Sequence, residues 1–372
     1  MENKTQQRLM SIDALRGFDM FWIMGGASLL VQICMAVTGS SDSELIRQME
    51  HVDWGGLHFM DLIFPVFVFI AGLSYPFSHA KQIERGDTPG MMHKKIIRRM
   101  IILLLMGLAY NGFFKSDWTK AADFRYFSVL GKIGIAWGVA AFIYMHTKSF
   151  KARLGWIAAG LLGYSLLLCF TAPDAPAGAS PTSLEGCFIG YLDRLFVPGY
   201  LYCDNLLEPS GPFVSFFGYP TALLGMCGGD IARSSKWTLS RKPVILALAG
   251  IACLTVGIAC SPLQPIVKKL WSPTFALVAS GIGFVFFALF FYLIDVREWR
   301  SWCFPFRLVG MNSITIYFLS ACFDFGALSM FFFKSITQLC GPYALVAQVF
   351  ALLVVKFVFL YFLYRKKIFL KV

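Results

Sequence analysis

Long apolar segments recur along the whole chain, and they constrain its fold more than any other feature. Hydrophobic residues make up 57% of the 372 residues and charged residues only 15%, which excludes a soluble globular domain. Ten segments are long enough, or nearly so, to cross the roughly 30 Å of hydrocarbon in a membrane. They lie near 17–37, 57–78, 97–114, 126–146, 153–171, 213–232, 243–260, 272–294, 304–325 and 343–364. The sequence therefore predicts an all-α polytopic membrane protein, a single-domain bundle (1–372) of about ten transmembrane helices.

Lysine and arginine concentrate in every second connection between these segments. The N-terminal region through Arg16, the alternate connections and the last eight residues hold 23 of the 33 basic residues. Because basic loops remain on the cytoplasmic side, we expect an inner-membrane protein with both termini in the cytoplasm. Residues 1–15 would form a short cytoplasmic tail, and residues 172–212 would form a long external loop. The short connection 261–271, with Lys268 and Lys269, is the exception.

The same distribution explains the net charge of +12, which in a soluble chain would suggest a nucleic-acid partner. No aromatic and basic module of an RNA- or DNA-binding protein is visible in the sequence, so no nucleic-acid partner is expected. The first apolar segment is longer than the core of a signal peptide and lacks a small-residue cleavage site. We expect it to be retained as the first helix.

The stretch His51–Ser78 begins with polar residues and glycines and then becomes an apolar run that contains Asp61. An ionised carboxylate in hydrocarbon is costly, so Asp61 is a candidate functional residue. His51 and His58 are seven residues apart, and Asp61 follows His58 by three. If a helix extends back through the glycines, the three side chains lie near one helix face at one mouth of the bundle.

The order of histidine, tryptophan, glycine and an Asp-Leu-x-Phe-Pro-x-Phe-Val-Phe run in this stretch resembles the heparan-α-glucosaminide N-acetyltransferase family. Three further stretches carry the resemblance in the expected order: Ser11–Asp19, Arg125–Gly138 and Pro305–Tyr317. The chain is similar to a bacterial-type short form without the family's lumenal domain. The resemblance implies a membrane acetyltransferase that moves an acetyl group from cytosolic acetyl-CoA to an amino sugar on the other side.

The resemblance also implies roles for the polar residues of the motif. His51 occupies the position of the family's active-site histidine, and it would act as a general base on the amine or as a nucleophile that takes the acetyl group. Asp61 would orient the imidazole. His58 is a second catalytic candidate, with a structural hydrogen bond as the alternative. One departure is Met24, which precedes the paired glycines of the first helix where the family tends to hold an asparagine.

A polyanionic donor such as acetyl-CoA requires a basic site on the cytoplasmic side. The densest basic cluster of the sequence consists of Lys94, Lys95, Arg98 and Arg99. This cluster would bind the phosphates of CoA, although a positive-inside anchor accounts for it without any ligand.

Three polar residues inside apolar segments are further candidates for the donor site: Lys132, Asn312 and Ser313. Asn312 and Ser313 would hydrogen-bond the pantetheine arm or the thioester, with helix packing as the alternative. Lys132 is a cation within a predicted span and must pair with an anion, either Asp61 or a phosphate.

The ten cysteines lie mostly within apolar segments, and no C-x-x-C pair is present. The sequence therefore predicts neither a metal site nor a redox motif. Cys187 and Cys203 share the long external loop, where a disulfide and two free thiols are equally compatible with the sequence.

Other readings of the sequence remain open beside the acetyltransferase. A transporter would also place charged residues within glycine-rich helices. An acyltransferase for another cell-envelope glycan would keep the chemistry and change the ligands, and a non-catalytic membrane scaffold is the third alternative. The expected partners are acetyl-CoA, an amino-sugar or glycan acceptor, membrane lipid and, in a homo-oligomer, further copies of the chain.

Overall fold

The computed structural model describes residues 9–115 and 118–369, so most of the predicted tail, 1–8, lies outside the described residues. All regular secondary structure in the described part is helical. The α-helices are α1 Met10–Phe21, α2 Ala27–Thr38, α3 Glu44–Gln48, α4 Phe59–Leu73, α5 Tyr75–Glu84, α6 Pro89–Tyr110, α7 Val129–His146, α8 Phe150–Leu167, α9 Phe188–Phe196, α10 Pro212–Phe216, α11 Tyr219–Arg233, α12 Arg241–Ala259, α13 Pro273–Phe291, α14 Phe304–Met311, α15 Ser313–Cys322, α16 Phe325–Gln338 and α17 Ala344–Arg365. A π-helical turn, Trp22–Gly26, joins α1 to α2, and another, Tyr292–Val296, extends α13.

Six helical segments of the described chain are long and apolar enough to cross a membrane, which is consistent with an integral membrane protein. They are Met10–Thr38, Phe59–Glu84, Val129–His146, Arg241–Ala259, Pro273–Val296 and Gly341–Arg365. The pair α15 and α16 makes a seventh if a helix bent by 82° counts as one span. The ten predicted segments all overlap helices, but six or seven candidate spans do not confirm the prediction of ten. Two helices illustrate why, because the N-terminal half of α6 contains Lys94, Lys95, Arg98 and Arg99, and α11 has only 15 residues.

The bend between α15 and α16 is a feature that the sequence did not predict. The apolar pattern predicts a connection between residues 325 and 343, whereas α16 occupies most of it. The side chain of Asp324 accepts a hydrogen bond from the backbone N–H of Ala327 at 2.9 Å. This N-cap starts a new helix directly after α15 and so fixes the position of the bend.

Helix α4 lies at the centre of the bundle and packs against α1, α7, α11 and α13. Its contact with α11 is close because each helix presents a glycine to the backbone of the other. A Cβ atom on Gly72 would lie 2.0 Å from the carbonyl oxygen of Ala222, and one on Gly225 would lie 2.1 Å from that of Phe69. Neither position accommodates a side chain, so these glycines set the depth at which α4 is held.

The long loop at 172–212 is folded onto the bundle by buried charged groups. Arg125 donates two hydrogen bonds, of 2.8 and 2.6 Å, to the carboxylate of Glu208. Asp193, on α9, is buried and accepts the backbone N–H of Glu208 at 3.0 Å. Burial is the main cause that raises the pKa of Asp193 to about 7. The loop is therefore an ordered cover rather than a flexible connection.

The two cysteines of this loop, Cys187 and Cys203, are free thiols in the structure, and both are buried. Burial raises the pKa of each thiol to about 11. Thiols with so little thiolate character at neutral pH are unreactive, which fits a packing role for both residues.

Candidate functional site

Three charged or titratable side chains meet just above the N-terminus of α4. The Nδ1 atom of His51 lies 2.9 Å from Oδ1 of Asp61, and Nζ of Lys268 lies 3.0 Å from each of these two atoms. Asp61 is fully buried, whereas the His51 side chain is 59% exposed and that of Lys268 is 19% exposed. The buried carboxylate thus holds an imidazole that can reach a ligand from outside.

Backbone pairing explains how Lys268 comes to lie beside His51, although the two residues are 217 positions apart. Gly55 forms an isolated antiparallel bridge with Val267, and the N–H of Gly56 donates to the carbonyl oxygen of Ile266 at 3.0 Å. Gly56 has a φ of 115°, which favours glycine strongly over residues with a side chain. This pairing places Lys268, the next residue after Val267, beside His51.

Asp61 also organises the backbone around it. Its Oδ2 atom accepts the backbone N–H of His58 at 3.0 Å and that of Val52 at 3.3 Å. The first of these bonds caps the N-terminus of α4, where the helix dipole also favours a negative charge. Asp61 therefore satisfies a structural requirement of the helix while its other oxygen holds His51 and Lys268.

The predicted helix through the glycines is wrong, because α4 begins at Phe59 and residues 51–58 are not helical. His51 reaches Asp61 through a folded-back loop rather than through helical spacing. The ring of His58 contacts the carbonyl oxygen of Glu50 at 3.2 Å. The structure thus pairs the His51 ring with the carboxylate of Asp61 and the His58 ring with a backbone carbonyl.

A cavity of about 330 Å³, here called the histidine cavity, opens below His51 and Lys268. Apart from these two residues its walls are largely apolar, with side chains from α1, α4, α6, α7 and α15. Tyr110 and Tyr317 stack in parallel on the wall, with ring centroids 4.9 Å apart. An apolar cavity with a few polar groups at its mouth is typical of a small-molecule site.

A second cavity of about 420 Å³, here called the arginine cavity, lies towards the other end of α4. Its polar lining residues are Asp13, Arg16, Ser74, Ser78, Lys81, Arg99, Asn312 and Ser313. Phe67 and Ile314 line both this cavity and the histidine cavity. These two apolar side chains therefore separate a basic chamber from the chamber that contains His51. From Asp61 to Ser74, α4 rises by about 20 Å.

A third cavity of about 300 Å³, here called the tryptophan cavity, adjoins the arginine cavity through Ser78 and Arg99. Tyr75 and Trp137 line it and are at least nine-tenths buried. Within the described residues, the Tyr75 hydroxyl, the indole N–H of Trp137 and Nε of Arg99 have no hydrogen-bond partner. The Arg99 guanidinium stacks 4.0 Å above the Trp137 ring. Unpaired buried donors beside arginine suit an anionic ligand.

The other residues predicted for the donor site lie partly in the arginine and tryptophan cavities and partly outside them. Arg98 and Lys95 line the tryptophan cavity, with Lys95 paired to Asp87, whereas the exposed Lys94 lines neither basic cavity. Asn312 and Ser313 line the arginine cavity, as described above.

Lys132 lies apart from both basic cavities. Its Nζ atom donates to the carbonyl oxygen of Pro209 at 2.8 Å and sits 3.9 Å from the centre of the Trp271 ring. Lys132 therefore does not pair directly with Asp61. A backbone carbonyl and an aromatic face contact its ammonium group, and the carboxylates of Glu208 and Asp193 favour its charge from further away.

Lys268 is the residue that the sequence did not identify as part of the site. One signal in the sequence could have pointed to it. Lys268 lies in the connection 261–271, which is basic although the charge pattern places it outside. Burial lowers the pKa of its ammonium group, and the ion pair with Asp61 opposes that shift. Among the described residues, no group of three or more His, Cys, Asp or Glu side chains is arranged to hold a metal ion.

Comparison with known proteins supports the resemblance drawn from the sequence. The chain is 24% identical over 365 residues to heparan-alpha-glucosaminide N-acetyltransferase of Homo sapiens, covering 83% of the chain and 52% of that protein. It is 25% identical over 321 residues to the protein of the same name of Mus musculus, covering 72% and 48%. The chain thus spans about half the length of these curated relatives. No protein-family model matches it. The two similarities confirm a family-level relationship.

Proposed function

We propose that the protein is a membrane acetyltransferase that moves the acetyl group of acetyl-CoA to the amino group of a glucosamine-type sugar. One observation carries the proposal. A histidine held by a buried carboxylate stands at the mouth of an apolar cavity, and that cavity adjoins a basic chamber towards the opposite end of α4. The relationship to heparan-alpha-glucosaminide N-acetyltransferases supports the same chemistry.

The donor would occupy the two basic cavities and the passage between the chambers. The phosphates would lie near Arg98 and Arg99, where the unpaired donors of Tyr75 and Trp137 are also found. The pantetheine arm would pass Asn312 and Ser313 and displace Phe67 or Ile314 to reach the histidine cavity. This arrangement assigns polar walls to the polar part of the donor and apolar walls to its acetyl arm.

The reaction would be completed at His51. The amine nitrogen attacks the thioester carbonyl carbon, so that a C–N bond forms and the C–S bond breaks. His51 accepts the proton that the amine loses and passes it to the departing thiolate, which gives CoA and returns the ring to its starting form. Asp61 stabilises the charged imidazole that forms in this step. His58 is retained only as a secondary candidate, because its ring contacts Glu50.

The charge distribution supports an orientation for this transfer. With 23 of the 33 basic residues in the regions assigned to the cytoplasm, the basic cavities would open inwards and the His51 motif outwards. Both termini would then be cytoplasmic in the inner membrane, which requires an even number of spans such as the ten expected from the sequence. Large exposed apolar side chains on α6 and α12, such as Leu105 and Leu248, would face lipid. A homo-oligomer is a further expectation.

Incubation of the purified protein with radiolabelled acetyl-CoA and a panel of amino sugars tests the proposed activity. We expect labelled N-acetyl product from glucosamine or a glucosamine-terminated glycan. Labelled product from a different glycan would redirect the proposal to another cell-envelope acceptor. Absence of product from every acceptor, in protein shown to be folded, would favour a transporter instead.

The donor site predicts a specific effect of basic residues on α6. The double substitution Arg98→Ala and Arg99→Ala should weaken CoA binding by on the order of 1–3 kcal/mol, the scale of charge-assisted hydrogen bonds. Lys94→Ala is the matched control, since this lysine lies on the same helix and lines neither basic cavity. Calorimetry of CoA binding to the protein in nanodiscs measures both. Equal affinity in the double variant and the control would assign the cluster to membrane topology alone.

A further inference from the structure

One ring nitrogen of His51 lies next to two groups of opposite charge, the carboxylate of Asp61 and the ammonium group of Lys268. A ring nitrogen either donates or accepts a hydrogen bond, yet Nδ1 of His51 lies within hydrogen-bond distance of both a carboxylate and an ammonium group. Asp61 favours the protonated, positively charged ring, and Lys268 disfavours it. At separations of about 3 Å both groups act directly on the ring, and water reduces both influences because the His51 side chain is 59% exposed. The two neighbours therefore favour opposite charge states of the ring.

The other charged and titratable groups around His51 are less directly placed. The segment that carries His51 also contains Glu50, Asp53 and His58. The ring of His58 contacts the backbone carbonyl oxygen of Glu50. Lys269 follows Lys268 in the facing loop. The remaining titratable groups of the cavity wall are the two hydroxyls of the stacked tyrosine pair. Among the described side chains, Lys268 is the ammonium group found in hydrogen-bond contact with the ring.

The contact with Asp61 is compatible with a ring whose Nε2 atom is available to the acceptor amine. Oδ1 of Asp61 accepts from Lys268, and it is also the acceptor nearest to Nδ1 of His51. With the hydrogen on Nδ1 donated to Asp61, Nε2 keeps its lone pair for the acceptor amine. A carboxylate without Lys268 would carry a full uncompensated negative charge next to the ring. It would then stabilise the doubly protonated imidazolium, which has no lone pair and accepts no proton.

We propose that Lys268 is a positioning residue whose ammonium group balances Asp61 and holds His51 in the uncharged form that accepts a proton. This inference rests on the proposed function of His51 as the base. Lys268 does not contact the reacting atoms in this account and acts through Asp61 and the ring. Its contribution is to extend activity to lower external pH.

The test compares Lys268→Met with Lys268→Arg across a range of external pH. We expect the acid limb of the pH–rate profile to move to higher pH by about one unit or more in Lys268→Met, since one charge has been removed from contact distance. Lys268→Arg retains the positive charge, so its limb should stay near that of the native protein. Lys269→Met serves as the matched control and should leave both the limb and the plateau unchanged.

A structural role for Lys268 predicts a different result. Loss of packing alone would lower the rate at every pH in Lys268→Met and leave the limb in place, and that outcome would overturn the inference. A titration of ¹⁵N-labelled histidine in nanodiscs provides a readout that does not depend on turnover. The His51 resonance, assigned by its loss in His51→Asn, should titrate at higher pH in Lys268→Met. An unchanged titration would contradict the inference even if the acetyltransferase activity were established.

Discussion

Replacement of His51 by alanine is expected to lower the acetylation rate by about 100-fold to 10,000-fold, the usual range for loss of a general base. CoA affinity should change little, because the imidazole lies at the mouth of the histidine cavity and the basic cavities adjoin the far end of α4. The protein should remain folded, since the His51 side chain is 59% exposed and contributes little packing. Single-turnover rates and CoA binding in nanodiscs measure the two effects separately.

The control for this substitution is His58→Ala. His58 belongs to the same motif, but its ring bonds a backbone carbonyl and does not line the cavity. We expect its loss to reduce the rate much less than the loss of His51. Near-normal turnover in folded His51→Ala protein would remove His51 as the catalytic base and would favour the transporter reading.

The second large effect is expected from Asp61→Asn. The amide keeps the shape of the carboxylate and removes the charge that stabilises the imidazolium and pairs with Lys268. The rate should fall more than tenfold but less than in His51→Ala, because the base itself remains. Stability should also fall, since a partly buried ammonium loses its partner. Rates together with thermal unfolding in nanodiscs measure this combination.

Asp61 and His51 are in contact, so their effects should not add in the double variant His51→Ala, Asp61→Asn. Once the base is absent, the charge that stabilises it has no catalytic role. We therefore expect the double variant to be little slower than His51→Ala alone. Fully additive losses would show that Asp61 acts on the reaction independently of His51, or only through the fold.

The central part of the site could be predicted because its signals are local and chemical. Asp61 was identified from the cost of a carboxylate within an apolar segment, and the structure places it fully buried beside His51. The reason given for that proximity was nevertheless wrong. Helical spacing assumed a continuous helix, whereas Gly55 and Gly56 pair with a distant loop and α4 begins only at Phe59.

Residues distant in sequence could not be placed by the same reasoning. Lys268 lies 217 positions from His51 and reaches it because neighbouring residues pair through their backbones, which no local pattern records. Lys132 does not pair with Asp61, because its ammonium group contacts the Pro209 carbonyl oxygen and the Trp271 ring, and both contacts depend on tertiary packing. The bend before α16 was missed for another reason. It depends on a cap at Asp324 within a stretch that is apolar on both sides.

The most direct test of the account measures on which side of a membrane the two substrates react. The protein is reconstituted in sealed vesicles, and molecules with the His51 motif outwards are selected by cysteine labelling near Glu44. Radiolabelled acetyl-CoA is enclosed, and glucosamine is supplied outside. We expect labelled N-acetylglucosamine in the external solution, formed with native protein and at least about 100-fold more slowly with His51→Ala. Transfer that occurs only when donor and acceptor share one side would contradict it.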